Sequence, residues 1–213
     1  MKVKRRQAHS SGGEGEGAGQ AVLERLIQAA RELFVTQGVE AVTVRSIARK
    51  AGCSIGLLYH YVDGKEDLLA RILAGAFARL LERLRRQEQS HHDPLERLRA
   101  VLEAYARFAI EHPHDYRLLF AAGPPGAHPH LRHVFHTLGT GCYHVIRDSC
   151  AGCIRDGRFR EGLEDADVAA QVLWAGIHGM VHLLDAAEGF PFHPRRALLR
   201  RHLETLLAGV GRA

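Results

Sequence analysis

From Gln20 onward apolar residues recur at three- and four-residue steps: Val22, Leu23, Leu26, Ile27, Ala30, Leu33 and Phe34, until Gly38 offers a left-handed stop. That spacing predicts one amphipathic helix of about five turns. No stretch sustains the period-2 alternation of β-branched residues that a strand requires, whereas helix-start chemistry precedes one 3.6-period run after another, so the chain reads as all-α. Asp63-Gly64-Lys65-Glu66 and Asp93-Pro94-Leu95-Glu96 each place an acceptor at an N-cap with a Glu three residues on, and Pro94 fits the first helical position. Helices are expected from near 65 to about 88, and over about 94–111, 113–121, 130–157, 166–188 and 194–209. Gly123-Pro124-Pro125-Gly126 and the turns from Gly157 to Gly162 and from Gly189 to Pro194 separate them.

Composition narrows the picture. At 213 residues the chain can bury a real core but has no room for a large multidomain enzyme. Residues 1–19 are basic and then rich in Gly, Ser and Glu, with too few apolar groups to offset ordering entropy, and are expected to form a disordered arm. Lys2, Lys4, Arg5 and Arg6 on that arm suit either a solvated tail or a minor-groove contact. They are not followed by the apolar segment of an export signal. The longest apolar stretch, Val172 to Leu184, is interrupted by His178 and His182 and is shorter than the roughly 18–20 residues of a bilayer helix. The expected location is the cytoplasm. The first 65 residues hold 10 basic and 6 acidic side chains, which is +4 of the chain's +5. A basic N-terminal module on a near-neutral body is the layout of a nucleic-acid binder with a second function elsewhere.

Between Thr43 and Leu69 the spacing is that of two short helices joined by a tight turn. Thr43 can cap the first, whose inner face is Val44, Ile47, Ala48 and Ala51; Gly52 supplies a positive-φ turn; Ser54 can cap the second, with Leu58 and Tyr61 facing inward. The second helix is too short and too poor in charge to be a self-stabilising surface element, and makes sense as a probe for a major groove. Ser54, Ile55, Gly56 and Leu57 lie at its leading end, where Gly56 permits close approach and Ile55 can touch a thymine methyl. Thr43, Arg45, Tyr59, His60 and Lys65 suit phosphates.

This stretch resembles the DNA-binding domain of the TetR/AcrR family of bacterial transcriptional regulators. The matching residues are Thr43, Ile47-Ala48, Ala51-Gly52, Ser54, Gly56, Tyr59 with Tyr61, and Lys65-Glu66 with Leu68. Tyr61 stands where the family more often has Phe, and Leu57 where it often has a Thr able to contact DNA. The resemblance implies about nine helices, a homodimer formed through the last two (about 166–188 and 194–209), and a ligand cavity in the C-terminal body. Trp174-Ala175-Gly176-Ile177-His178-Gly179 is similar to the Trp-x-x-x-His-Gly motif of one C-terminal subtype. The residues themselves add that Ala175, Gly176 and Gly179 allow close helix approach and that Leu198, Leu199, Leu203, Leu206 and Leu207 give the last helix an apolar face. A two-fold dimer would read an inverted-repeat operator in double-stranded DNA.

Phe77, Tyr105, Phe108, Phe120, Phe135, Tyr143 and Trp174 fall on the helices expected around that cavity, either as its lining or as plain core. As lining they predict a small apolar effector, with Tyr105, Tyr143, Arg147 or His178 as polar anchors. Cys142, Cys150 and Cys153 read as small buried helix residues, with a thiol sensor or a metal site as alternatives. The histidines of residues 112–136 read as surface or capping groups, and His178 as a core or effector contact. No nucleotide-binding loop or nucleophile beside a His and a carboxylate is evident, so neither an enzyme nor a cofactor is expected. The expected domains are the arm 1–19, a helix-turn-helix module 20–66, and a ligand-binding and dimerisation body 67–213. The expected function is a one-component repressor, released from its operator by an apolar small molecule; the alternative is a thiol- or metal-sensing helical regulator using Cys142, Cys150 and Cys153.

Overall fold

Two side chains close the reciprocal cap that starts the second helix: Ser46 N–H donates to Thr43 Oγ1 and Thr43 N–H to Ser46 Oγ, each at 3.2 Å. In the computed structural model, which describes residues 12–121, 129–187 and 189–212, helices follow one another along the described residues. They are α1 (Gly12–Gln37), α2 (Val44–Ala51), α3 (Ile55–Tyr61), α4 (Lys65–Ser90), α5 (Pro94–Glu111), α6 (Pro113–Ala121), α7 (Pro129–Val134), α8 (Thr140–Arg155), α9 (Ala166–Ala186) and α10 (Arg195–Val210). A π-helical turn, Phe135–Gly139, joins α7 to α8 without a break, so the described residues form nine helical rods. No strand occurs among them; Phe159 and Gly211 form an isolated bridge. The all-α expectation holds. None of the described helices is long and apolar enough to cross a membrane.

The chain divides into two compact units, residues 1–72 and 73–213. The boundary lies six residues beyond the expected one at 66, because the first turns of α4, with Leu68, Leu69 and Ile72 buried, belong with the N-terminal unit. In that unit α2 packs on α1 and α3 on α2 around Leu26, Phe34, Ile47 and Leu58. The expected arm differs from what is seen. Residues 1–11 lie outside the described residues, but from Gly12 to Gly19 the chain is helical and continues α1 backward. Propagation from the apolar stripe costs far less than nucleation, and Gln20 donates to Glu24 one turn on at 3.1 Å.

Gly52 ends α2 at φ 68°, with Gly52 N–H on Arg49 O at 3.3 Å and Cys53 N–H on Ala48 O at 3.0 Å. Nothing lies within 4 Å of a Cβ built there, so the glycine is required by backbone conformation alone. Gly52→Ala should cost about 1–2 kcal/mol, read as a lower denaturant midpoint with an unchanged slope. At α4 the expected reach-back from Glu66 is made instead by buried Asp67, whose Oδ2 accepts from Asp63 N–H at 3.2 Å while Arg71 pairs with the same carboxylate. At α5 Asp93 caps as expected, accepting from Leu95 and Glu96 N–H at 2.9 and 3.0 Å.

The second unit is built on α5, which is buried on most of its circumference and packs against α6, α8, α9 and α10. Buried Asp115 at the start of α6 pairs with Arg79 of α4. On α10, Leu199, Leu203 and Leu207 are buried at four-residue steps, while Leu198 and Leu206 are half-buried.

Candidate nucleic-acid interface and ligand cavity

Helix α3 has seven residues and a single buried side chain, Leu58. Ser54 holds its start, accepting from Leu57 N–H at 3.1 Å, and Val62 N–H closes its end on Leu58 O. Everything else that was expected to read bases faces outward: Ile55 is 38% and Leu57 37% exposed, and Gly56 has only Ser54 Oγ, at 4.0 Å, near the position of a Cβ. The chain's own packing therefore gives no reason for a glycine at 56 or for two large aliphatics in solvent. Tyr59 is 56% exposed, and Thr43, Arg45 and His60 are exposed as well. Tyr61 is half-buried, its hydroxyl 3.3 Å from where a Cβ on Gly19 of α1 would stand, so the extra oxygen relative to Phe sits against the extension of α1.

Lys65 differs from the rest. Its Nζ donates to Val39 O at 3.1 Å and reaches Glu40 O at 3.5 Å, so the ammonium holds the turn after α1. Arg49, one turn after Arg45 and also exposed, was not singled out from sequence, although its i, i+4 spacing from Arg45 marks it. Lys50 is paired with Glu32 at 2.8 Å, and that hydrogen bond holds the Glu32 carboxyl below its ordinary range.

In the second unit a cavity of about 290 Å³ is lined by six of the expected residues: Phe77, Tyr105, Phe120, Phe135, Tyr143 and Trp174. Leu80, Gly139, Thr140, Cys142 and Ile146 complete it, and the π-helical turn supplies its edge. Phe77 and Phe135 meet edge to face at 5.3 Å. Three of the expected ligand residues lie elsewhere. Phe108 is core, 1% exposed, under the Arg83 guanidinium at 5.8 Å and beside His112. Arg147 is turned to its neighbour Asp148, with Nη2 to Oδ1 2.8 Å. His178 stands behind the lining, its ring 4.4 Å from Phe120.

Sequence reasoning missed Tyr116. Its Oη lies 2.6 Å from His178 Nδ1, and Tyr105 Oη lies 3.0 Å from the same nitrogen. Burial and Tyr116 hold the Tyr105 phenol well above its ordinary value, burial pushes Tyr116 up to about 12, and burial with the nearby His182 lowers His178. All three are therefore neutral near pH 7.

Burial also pushes the Cys142 and Cys150 thiols up to about 12 and Cys153 to about 11. A thiol near 12 is ionised about once in 10⁴ at pH 8, which removes the nucleophile a sensor needs. In the native protein at pH 8 one thiol per chain, half-exposed Cys53, should react rapidly with an aromatic disulfide reagent, against all four in denaturant. Fast modification of Cys142, Cys150 or Cys153 would reopen the thiol-sensing alternative. No cluster of three or more potential ligands for a metal occurs among the described residues.

Known proteins align with both units. Residues 26–72 match the family of bacterial regulatory proteins named tetR, and residues 98–206 match the tetracyclin repressor-like C-terminal domain. The HTH-type transcriptional repressor KstR2 of Mycobacterium tuberculosis is 39% identical over 95 residues, 45% of this chain and 47% of that protein. The HTH-type transcriptional activator FasR of Mycolicibacterium smegmatis is 33% identical over 96 residues, 45% of this chain and 44% of that protein. The chain thus spans about half the length of the curated relatives it matches. The structure of the ketosteroid transcriptional regulator KstR2 of Mycobacterium tuberculosis superposes with a TM-score of 0.70 at 26% identity, covering 90% of this chain and 95% of that one. With a capped, outward-facing α3 in the first unit and both family domains matched along the sequence, the chain belongs to the TetR family of bacterial regulatory proteins.

Proposed function

We propose that this TetR-family regulator is a repressor that binds an inverted-repeat operator as a homodimer and is released by an apolar small molecule held in the cavity of its second unit. The outward face of α3 carries the proposal: Ile55, Gly56, Leu57 and Tyr59 are presented to solvent while Leu58 alone ties the helix down. An apolar probe of this kind reads thymine methyls and groove shape, with Thr43, Arg45, Arg49 and His60 available to phosphates. The relatives are named as a repressor and an activator, so the sign of regulation follows from where the operator lies.

Release by ligand requires only that the ligand favour a conformation with lower operator affinity. Within the second unit Phe77 and Leu80 of α4 line the cavity, so a bound ligand would act directly on that helix. Dimerisation is supported by the outer side of α9, where Val168, Val172 and Leu183 are about half exposed on the face that also carries Ala175 and Gly179.

The test is a gel-shift titration with the region upstream of the gene. Affinity for it should exceed that for random DNA by a factor of 10³ or more. Binding no tighter than to random DNA would remove sequence-specific regulation. Arg45→Ala should weaken all sequences alike and make the salt dependence shallower by about one unit of log slope per protomer.

A further inference from the structure

At the cavity wall the phenol of Tyr105, a lining residue, and that of Tyr116 meet one imidazole nitrogen. A neutral imidazole nitrogen that accepts has one in-plane lone pair and receives one O–H. Assigned as the acceptor, His178 Nδ1 takes the O–H of the nearer Tyr116, at 2.6 Å, and leaves that of Tyr105, at 3.0 Å. The Tyr105 proton therefore has two destinations: the Tyr116 oxygen inside the wall, or an acceptor in the cavity. Tyr105 is 3% exposed and lines that cavity.

Three other polar side chains among the described lining residues already have partners. Thr140 Oγ1 donates to Phe135 O at 3.3 Å, Cys142 Sγ to Phe77 O at 3.7 Å, and Tyr143 Oη to Asp167 Oδ1 at 2.6 Å. No Lys, Arg, Asp or Glu is among the described lining residues. An ionised ligand group buried here would lose its hydration with no counter-charge to replace it, whereas an uncharged oxygen needs only one donor.

We infer that the cavity takes a ligand with an apolar body and one uncharged oxygen acceptor, a ketone or an alcohol, held by the Tyr105 Oη–H. Tyr116 and His178 position that donor: with Tyr116 occupying Nδ1, the Tyr105 proton stays available to the ligand. This rests on the cavity being the effector site, and names the chemistry that site selects.

Trp174 is the only tryptophan of the chain and lies in the lining, so its fluorescence reports occupancy. Three probes of one shape separate the cases: 4-phenylcyclohexanone, phenylcyclohexane and 4-phenylcyclohexanecarboxylate. Titrated into the full chain, the ketone should bind about tenfold or more tighter than either of the others, the size of one buried hydrogen bond. Tyr105→Phe should bring the ketone to within about twofold of the hydrocarbon and leave the hydrocarbon unchanged. Tyr116→Phe should also weaken the ketone alone, because Nδ1 is then free to capture the Tyr105 proton. The infrared carbonyl band of the bound ketone should move to lower frequency in the wild type and return in Tyr105→Phe. Should a variant fail to fold, the wild-type probe order and carbonyl shift still decide.

Equal binding of ketone and hydrocarbon, with no carbonyl shift, overturns the anchor and leaves the cavity standing as the effector site. Tightest binding by the carboxylate overturns the uncharged class. If none of the three perturbs Trp174, both the anchor and the effector role of the cavity fall.

Discussion

Gly56→Leu should leave the fold as stable as the parent, or slightly more so, and should lower operator affinity by at least about 100-fold. The stability half follows from the space around residue 56: a Cβ there meets only Ser54 Oγ at 4.0 Å. Replacing a helical glycine recovers roughly 0.5–1 kcal/mol of backbone entropy. The binding half follows from what that space is for. On a seven-residue helix whose neighbours Ile55 and Leu57 face solvent, a missing side chain that nothing among the described residues requires is what the proposed approach of α3 to a groove would need. An isobutyl group there would hold the helix off the base edges, at about 1–3 kcal/mol per half-site and in both half-sites of a dimer. Gly56→Ala should fall between. Thermal melts and gel shifts on the same preparations check both halves. Unchanged operator affinity in a folded Gly56→Leu protein would mean that α3 does not enter the groove by this end.

Much of this was readable from residue types. The caps of α2, α3 and α5, the Gly52 turn and the order of the helices follow from local chemistry, because each depends on contacts within four residues. What escaped depends on distance along the chain or on absence of a signal. Lys65 looks like a phosphate ligand because its ammonium lies near a helix start, yet its partner, Val39 O, is 26 residues away. Tyr116 is one aromatic among many until the fold sets it beside His178, 62 residues on. The π-helical turn at Phe135–Gly139 has no residue signature; its Phe135 and Gly139 both lie against Phe77 of α4. Phe108 and Arg147 fell on suitable helices but point to Arg83 and Asp148, and helical periodicity alone does not separate two neighbouring faces of a helix as buried as α5. The arm was misjudged from Gly12 onward because composition averages over a segment, whereas a helix already nucleated can extend into poor sequence.

Two glycines three residues apart on α9 should respond to the same substitution through different equilibria, one through the fold of the protomer and the other through the dimer. A Cβ on Gly176 would stand 2.8 Å from Leu206 Cδ2 and 2.9 Å from Cδ1, and His202 Nε2 lies 3.0 Å from Gly176 O, so α9 and α10 meet at this point within one chain. Gly176→Val must drive Leu206 out of its rotamer or push the helices apart, an overpacking cost of about 1–3 kcal/mol. Gly179 has nothing within 4 Å of a Cβ and lies on the face with Val172 and Leu183. Within one protomer Gly179→Val is therefore harmless. If that face is the dimer seam, the two added methyl groups of each protomer face their counterparts across the two-fold axis, and the dimer dissociation constant should rise by 10-fold or more. Sedimentation equilibrium and denaturant melts at several protein concentrations separate the two. Gly176→Val should lower the midpoint at every concentration, whereas Gly179→Val should lower it at concentrations where the parent is dimeric and match the parent once dilution has made both monomeric. A Gly179→Val protein with the parent's association constant would place the seam on another face. Operator binding would then need a different two-fold arrangement of its probes.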